Sequence, residues 1–346
     1  MGTTFRDLSA VRKALLPMSW LYGAITDLRN FGFDHSWLSI GKTSHYVISV
    51  GNLTVGGTGK TPMIEFLVRV LLPHYRIAIV SRGYGRKTKG VVVATSESTA
   101  AEIGDEPLQY YQKFNFNVPV VVAEKRLEGA QSAKKEFPDT HILLLDDAFQ
   151  HRAIHRDLNI LLTDYHRPFY KDHPFPAGNL RERRRGANRA DLIVVTKCPS
   201  HLDAISRQKI RSSISRYLNK EVPIIFSTVQ YGSPLPFLGQ NKLDDFTLRI
   251  GLSGLAQNQP FENFIRQTYG VEEFKGFADH FDYSANDLRS LGILQNPDAA
   301  LLTTEKDKVK LLPLAQSLGI ANRCFFLPIQ PQFNEEDLAI LMHLLP

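Results

Sequence analysis

The segment LTVGGTGKTP, residues 53–62, limits this chain to few folds. It leaves the apolar run YVISV and enters a helical pattern beginning near Pro62, the strand, loop and helix order that a phosphate-binding loop requires. Gly56, Gly57 and Gly59 let the backbone curl so that successive N–H groups point at phosphate oxygens, and the following helix adds partial positive charge at its N-terminus. Lys60 is then placed to reach the β- and γ-phosphates, and Thr61 to put its hydroxyl on a magnesium ion that bridges them. A glycine turn with an incidental Lys-Thr pair is the competing reading, and the flanking strand and helix argue against it. The first glycine of the usual pattern is missing, with Thr54 in its place.

From His45 onward short β-branched runs (YVISVGNL, RIAIVSR, VPVVVAE, HILLLDD, LNILLTD, DLIVVTK) alternate with helical stretches such as 64–72 and 125–137. The expected fold is therefore α/β: a P-loop NTPase-like, mostly parallel sheet with helices on both faces. Shorter candidates follow after about Gly239, among them FTLRIGLSG, PFENFIRQTYG, AALLTTEKD and CFFLPIQ, and these read as a smaller C-terminal α/β domain. Pro and Gly in SPLPFLGQNK put the boundary there, giving segments 1–33, 34–238 and 239–346. A length of 346 residues with 43% apolar content suits more than one buried core.

Residues 1–33 stand apart. Phe5, Leu8, Val11, Leu15, Leu21, Ile25 and Leu28 fall at helical spacing, with Arg6, Arg12, Lys13 and Arg29 among them and Trp20 and Tyr22 near the middle. Pro17 should start or kink a second helix. Two readings stay open: a helix pair packed on the protein's own core, or an amphipathic surface lying in a lipid interface. The formal charge of +6 favours anionic partners without choosing among phosphates, acidic lipids and nucleic acid. No recognition fold or stacking-aromatic motif supports nucleic acid. Cys198 and Cys324 lack metal or disulfide spacing. No uncharged apolar run reaches about 18 residues and no secretory signal pattern is present, so the chain is expected in the cytoplasm.

A phosphate-binding loop needs an acidic partner at another strand end. HILLLDD delivers Asp146 and Asp147 to the carboxyl edge of the sheet, one to hold Mg²⁺ directly or through water and the next to orient a water or a neighbouring donor. A turn or helix cap is the alternative for two such acids.

Several further blocks occur in a distinctive order: GNLTVGGTGKTP, SRGYGR from Ser81, GDEP from Gly104, DDAFQH from Asp146, FPAGNLRE from Phe175 and TTEKD from Thr303. Over nearly the whole chain they resemble the tetraacyldisaccharide 4'-kinase (lipid A 4'-kinase) family, whose loop commonly has Ser or Thr at the position of Thr54. Ala148 and Asn179 depart from the family pattern, which has Gly and often Pro there. The resemblance implies ATP-dependent phosphorylation of the 4'-hydroxyl of a tetraacyldisaccharide 1-phosphate by a peripheral enzyme at the cytoplasmic face of an inner membrane. It makes residues 1–33 a membrane-contacting segment and calls for no obligate protein partner. Asp105 matches the family's base for the sugar hydroxyl, and His280 in FADHF matches a histidine that pairs with that base. Glu106 is a candidate second magnesium carboxylate, with a helix N-terminal acid as its alternative. The nucleotide-binding set is then Thr54, Val55, Gly56, Gly57, Thr58, Gly59, Lys60 and Thr61, joined by Arg181 and Glu182 through their match to the family. Arg82 and Arg86 are candidates for the acceptor or the ATP phosphates.

Two rivals fit less well. Deviant P-loop ATPases of the partition and division type carry a lysine just before GGTGKT, where this chain has Val55. A metallochaperone-type GTPase needs a base-reading N/TKxD motif, and IVVTKCP ends on Pro199.

Overall fold

The computed structural model describes residues 12, 14–114 and 117–346. Phe5, Arg6, Leu8, Val11 and Lys13 of the N-terminal pattern lie outside these residues. Strands β1 (Tyr46–Asn52), β2 (Ile77–Ser81), β3 (Val92–Val93), β4 (Val120–Val122), β5 (Ile142–Asp146), β6 (Leu158–Asp164), β7 (Leu192–Thr196) and β8 (Ile224–Phe226) form one sheet in the order β3-β4-β2-β5-β1-β6-β7-β8. All neighbours are parallel except β3 on β4. Alternate side chains of each strand enter opposite cores, which is why these runs are apolar throughout rather than alternating. Ile48, Val50, Leu144 and Ile160 pack with Met63, Ile64, Leu67 and Val68 of the helix Lys60–Leu71. On the other face Val47, Leu143 and Leu145 pack with Ala130 and Ala133 of the helix Arg126–Glu136. The register sets Val50 opposite Asp146, so the loop after β1 and the acids ending β5 leave the sheet side by side.

The chain then passes through β9 (Thr228–Tyr231) into a second unit. There β10 (Leu235–Pro236), β11 (Leu248–Ser253), β12 (Glu273–Gly276), β13 (Ala299–Thr304) and β14 (Cys324–Leu327) pair in the order β10-β14-β13-β11-β12. Strand β15 (Ile329–Gln332) returns antiparallel to β9, so a two-stranded ribbon carries the chain in both directions. This second sheet begins at Leu235, just before the boundary expected at 238/239. The last helix, Glu335–Leu344, goes back to the first unit, where Leu341 is buried in the same cluster as Ile225 and Arg207 donates to Asp337 at 2.8 Å.

Toward the N-terminus the helix Leu16–Asp34 carries Pro17 in its first turn, where a missing N–H breaks no hydrogen bond. Its polar and small residues face the protein. Tyr22 donates to the Arg181 carbonyl at 2.9 Å, Ser19 Oγ accepts from Ala177 N–H at 2.9 Å, and Arg29 donates to the Gln150 carbonyl at 3.1 Å. Its apolar row faces outward: Met18, Trp20, Leu21, Ile25 and Leu28 are each 58–68% exposed. Ser19, Gly23, Gly32 and Phe33 of this helix are buried against the protein, and the rest of the expected helix pair lies outside the described residues. No helix among them is long and apolar enough to cross a membrane.

Candidate active site

The loop is built from its ends inward. Gly56 and Gly59 take φ of 104° and 85°, a region that L side chains rarely adopt, and Gly59 starts the helix Lys60–Leu71. Asn52, the last residue of β1, donates to Thr58 Oγ1 at 2.7 Å, while Thr196 at the end of β7 donates to the Thr58 carbonyl at 2.9 Å. Lys197 donates to the Gly57 carbonyl and pairs with Asp164 at 2.9 Å. Thr54 is buried and bridges to Leu180, and the Val55 N–H donates to the Asn179 carbonyl at 2.9 Å. The first half of the loop is therefore clamped by the FPAGNL segment, and its second half by strand ends.

Two acids follow β5 and do different things. Asp147 adopts a left-handed φ of 47°, which turns its carboxylate toward the loop. It accepts from Arg181 at 2.8 Å on both oxygens and lies 3.6 Å from Lys60 Nζ. Burial alone would raise its carboxyl, but Lys60 and Arg181 outweigh that and hold it at about 2. Asp146 is 1% exposed and accepts from Ser81 at 3.0 Å through Oδ2, while its buried Oδ1 has no partner. Burial, then the charges of Glu106 and Asp147, push its carboxyl well above the usual range. Behind it the fully buried Arg126 donates to the Asp146 carbonyl at 2.9 Å. Thr61 Oγ1 donates to Glu106 at 3.4 Å. An orphaned carboxylate oxygen with an acid and a hydroxyl nearby fits a hard cation that relieves their repulsion. No group of three His, Cys, Asp or Glu that could hold a metal ion occurs among the described residues.

A third group comes from both units. Asp105 opens the helix Asp105–Lys113, where Gly104 with φ of 93° lets the chain turn in. His280, itself left-handed with φ of 58°, comes within 3.2 Å of Asp105 Oδ2 through Nδ1. Lys310 Nζ lies 3.0 Å from the same oxygen. Burial would raise the Asp105 carboxyl, yet hydrogen bonds from His280 and Lys310 hold it below its ordinary value.

Other candidates sit elsewhere. Glu182 is 3% exposed and accepts from Arg189 at 2.6 Å, Gln150 at 3.0 Å and Asn30 at 2.9 Å, tying the N-terminal helix to the strand ends. Arg86 pairs with Glu124 at 2.6 Å and braces the SRGYGR turn, whereas Arg82 is exposed. Asn52, Ser81 and Arg126 were not singled out from sequence. The first two lie inside the GNLT and SRGYGR blocks, which is the signal that marks them.

Residues 11–345 match the family model described as tetraacyldisaccharide-1-P 4'-kinase. The chain belongs to that family. The tetraacyldisaccharide 4'-kinase of Cytophaga hutchinsonii is 40% identical over 320 residues, covering 91% of this chain and 90% of that one. That of Flavobacterium johnsoniae is 38% identical over 345 residues, covering 97% and 98%. The "apo" form of LpxK from Aquifex aeolicus in complex with ATP has a TM-score of 0.75 and 33% identity, covering 96% of this chain and 98% of that chain. Within this tetraacyldisaccharide 4'-kinase family member the two departures are accommodated locally. Ala148 is fully buried, and Asn179 donates to Asp172 at 3.1 Å while its carbonyl holds Val55.

Proposed function

We infer that this chain transfers the γ-phosphoryl group of ATP to the 4'-hydroxyl of a tetraacyldisaccharide 1-phosphate, giving the 4'-phosphorylated lipid A precursor. The observation that carries the reading is the meeting at one edge of the loop, the acids of β5 and a carboxylate held low by two cationic or donating neighbours. In this reading the loop N–H groups and Lys60 cradle the phosphates, and Arg181 keeps Asp147 beside Lys60 until the nucleotide enters. Thr61, Asp146 and Glu106 would hold Mg²⁺, which supplies charge neutralisation between the phosphates when bound. Asp105 takes the proton of the acceptor hydroxyl as its oxygen bonds to phosphorus and the bond to ADP breaks. Both neighbours converge on Oδ2, so Oδ1 is the oxygen we assign to that hydroxyl. The outward apolar row of the helix Leu16–Asp34 would rest in the surface of the membrane that holds the lipid acceptor, on its cytoplasmic side. The test is to incubate purified protein with γ-labelled ATP, Mg²⁺ and detergent-dispersed disaccharide 1-phosphate. Label in the lipid is expected, and ATP hydrolysis without labelled lipid would overturn the reading.

A further inference from the structure

A cavity of about 550 Å³ lies on the flank of the helix Leu16–Asp34, and no residue of the phosphate-binding loop or of the Asp105–His280 pair lines it. Its size falls within the range of small-ligand sites, about 300–1,000 Å³. Asp27, Phe31 and Asp34, spaced at i, i+4 and i+7, turn one face of the helix toward it. Arg152, Arg185 and Tyr217 stand on the side of the core. With Arg189, three arginines and two aspartates border the space, so it offers both signs of charge.

The two signs are not spread evenly. Asp27 is held between Arg183 at 3.1 Å and Arg185 at 2.5 Å, and the Arg185 side chain is 64% exposed, so its guanidinium has donors left for a ligand. Arg152 is 7% exposed, donates to the Asn30 carbonyl at 3.0 Å and pairs with Asp34, while its buried Nε has no partner among the described residues. A buried guanidinium short of acceptors draws an anion toward it. Asp34 is the last residue of its helix, and the final turn contains no basic residue. The partial negative charge of the helix C-terminus therefore adds to a carboxylate whose side chain is 57% exposed even with Oδ1 engaged by Arg152, and that end suits a cation. A phosphate joined to a primary ammonium by a short chain answers both ends. The disaccharide 1-phosphate acceptor has phosphate and no ammonium, so it does not match. The surroundings suit a bilayer surface: Phe31 meets the edge of Trp37 at 5.2 Å, the Trp20 carbonyl accepts from Arg183 at 3.2 Å, and the two indoles are 71% and 65% exposed. Exposed tryptophans settle at the headgroup level of a membrane.

We propose that this cavity binds the phosphoethanolamine headgroup of a membrane phospholipid, its phosphodiester at Arg185 and Arg152 and its ammonium at Asp34, fastening the N-terminal helix to the core. This rests on the reading that the apolar row of the helix meets the membrane. The site is tested first without a membrane, by titrating full-length protein with soluble glycerophosphoethanolamine and observing the ligand by NMR. Binding is expected, and Arg185→Gln or Asp34→Asn should each weaken it about tenfold, as for the loss of one charge-assisted hydrogen bond. Both side chains are more than half exposed, so the variants keep the fold. Glycerol phosphate, which lacks the ammonium, should bind more weakly, and Asp34→Asn should leave its binding no weaker. Absence of glycerophosphoethanolamine binding, binding that neither variant weakens, or equally tight binding of glycerol phosphate overturns the proposal. Vesicles then separate a lipid from a free headgroup. At fixed phosphatidylglycerol content, replacing phosphatidylcholine by phosphatidylethanolamine should increase co-sedimentation of the wild type and of neither variant, because the quaternary nitrogen of choline has no N–H for Asp34. No gain with phosphatidylethanolamine overturns the lipid assignment. Leu21→Asp with Leu28→Asp probes the underlying reading apart: full co-sedimentation of that variant removes the docking row, whereas failure of the soluble titration alone removes only the cavity's role.

Discussion

Lys60 and Thr61 sit side by side in the loop but answer to different charges, and their substitution should separate them. Lys60→Ala removes the ammonium meant for the transferring phosphate and should abolish most turnover, whereas Thr61→Ala should chiefly raise the Mg²⁺ concentration needed for half-maximal rate. Near-normal turnover in folded Lys60→Ala protein would refute the assignment. Asp105 and Asp146 offer a second contrast. Asp105→Ala should lower kcat by about 10²- to 10⁴-fold, the usual contribution of a positioned base, with Mg²⁺-ATP affinity unchanged. Asp146→Ala, which removes the orphaned Oδ1, should shift the magnesium titration instead, and identical magnesium curves for the two variants would deny this division. The loop was readable from sequence because strand, glycines, lysine and helix are contiguous. Asp105 and His280, 175 positions apart, could be linked only through the blocks that resemble a family. Glu182 shows the limit of that route. Its motif places it beside Arg181, but the opposite direction of its side chain depends on Asn30, Gln150 and Arg189, which folding brings from three other places.

At the scale of the element, the N-terminal helix was legible as an amphipathic period and illegible as to which face would be covered. A helix's own sequence does not state whether its partner is protein or lipid. Here the polar face binds the protein through Tyr22, Arg29 and Asn30, and the apolar face is left over. Each of its large apolar side chains is worth about 1.5–3 kcal/mol when fully buried, and each cation near an anionic leaflet about 1 kcal/mol. Partial insertion of the row Met18, Leu21, Ile25 and Leu28 would therefore suffice for the reversible docking proposed above. Leu21→Asp with Leu28→Asp, at positions 66% and 68% exposed, should reduce co-sedimentation with anionic vesicles and raise the KM for the lipid acceptor while ATP binding holds. Full co-sedimentation of the folded double variant would count against docking through this face. Deleting the helix is the poorer experiment, because Arg181, Glu182 and Gln150 lose partners with it.

For the molecule as a whole, the alternation of strands and helices made the first sheet legible, and the order of its strands was fixed only by the register of buried runs. The return of the last helix was not readable, since nothing local in Glu335–Leu344 says which sheet it will cover. The two units meet where Lys113 lies between Glu65 at 2.6 Å and Glu305 at 2.5 Å. Glu305→Gln weakens this bridge but leaves Lys113 to neutralise the buried Glu65. It should lower kcat several-fold with the affinity for ATP, measured by equilibrium titration, unchanged, and weaker ATP binding would show that the bridge serves the loop instead. The position of the last helix also bears on how the protein is made. A ribosome that has released residues through β15 has supplied the loop, both acids, Asp105 and His280, yet the surface beside Ile225 and Arg207 still waits for Asp337 and Leu341. The core that holds the loop is thus completed by a helix that follows the whole second unit in the chain. A chain ended before the helix Glu335–Leu344 should bear every reacting group and still be cleared by proteases before it turns over substrate, which pulse labelling of such a truncated chain would reveal as a shortened lifetime.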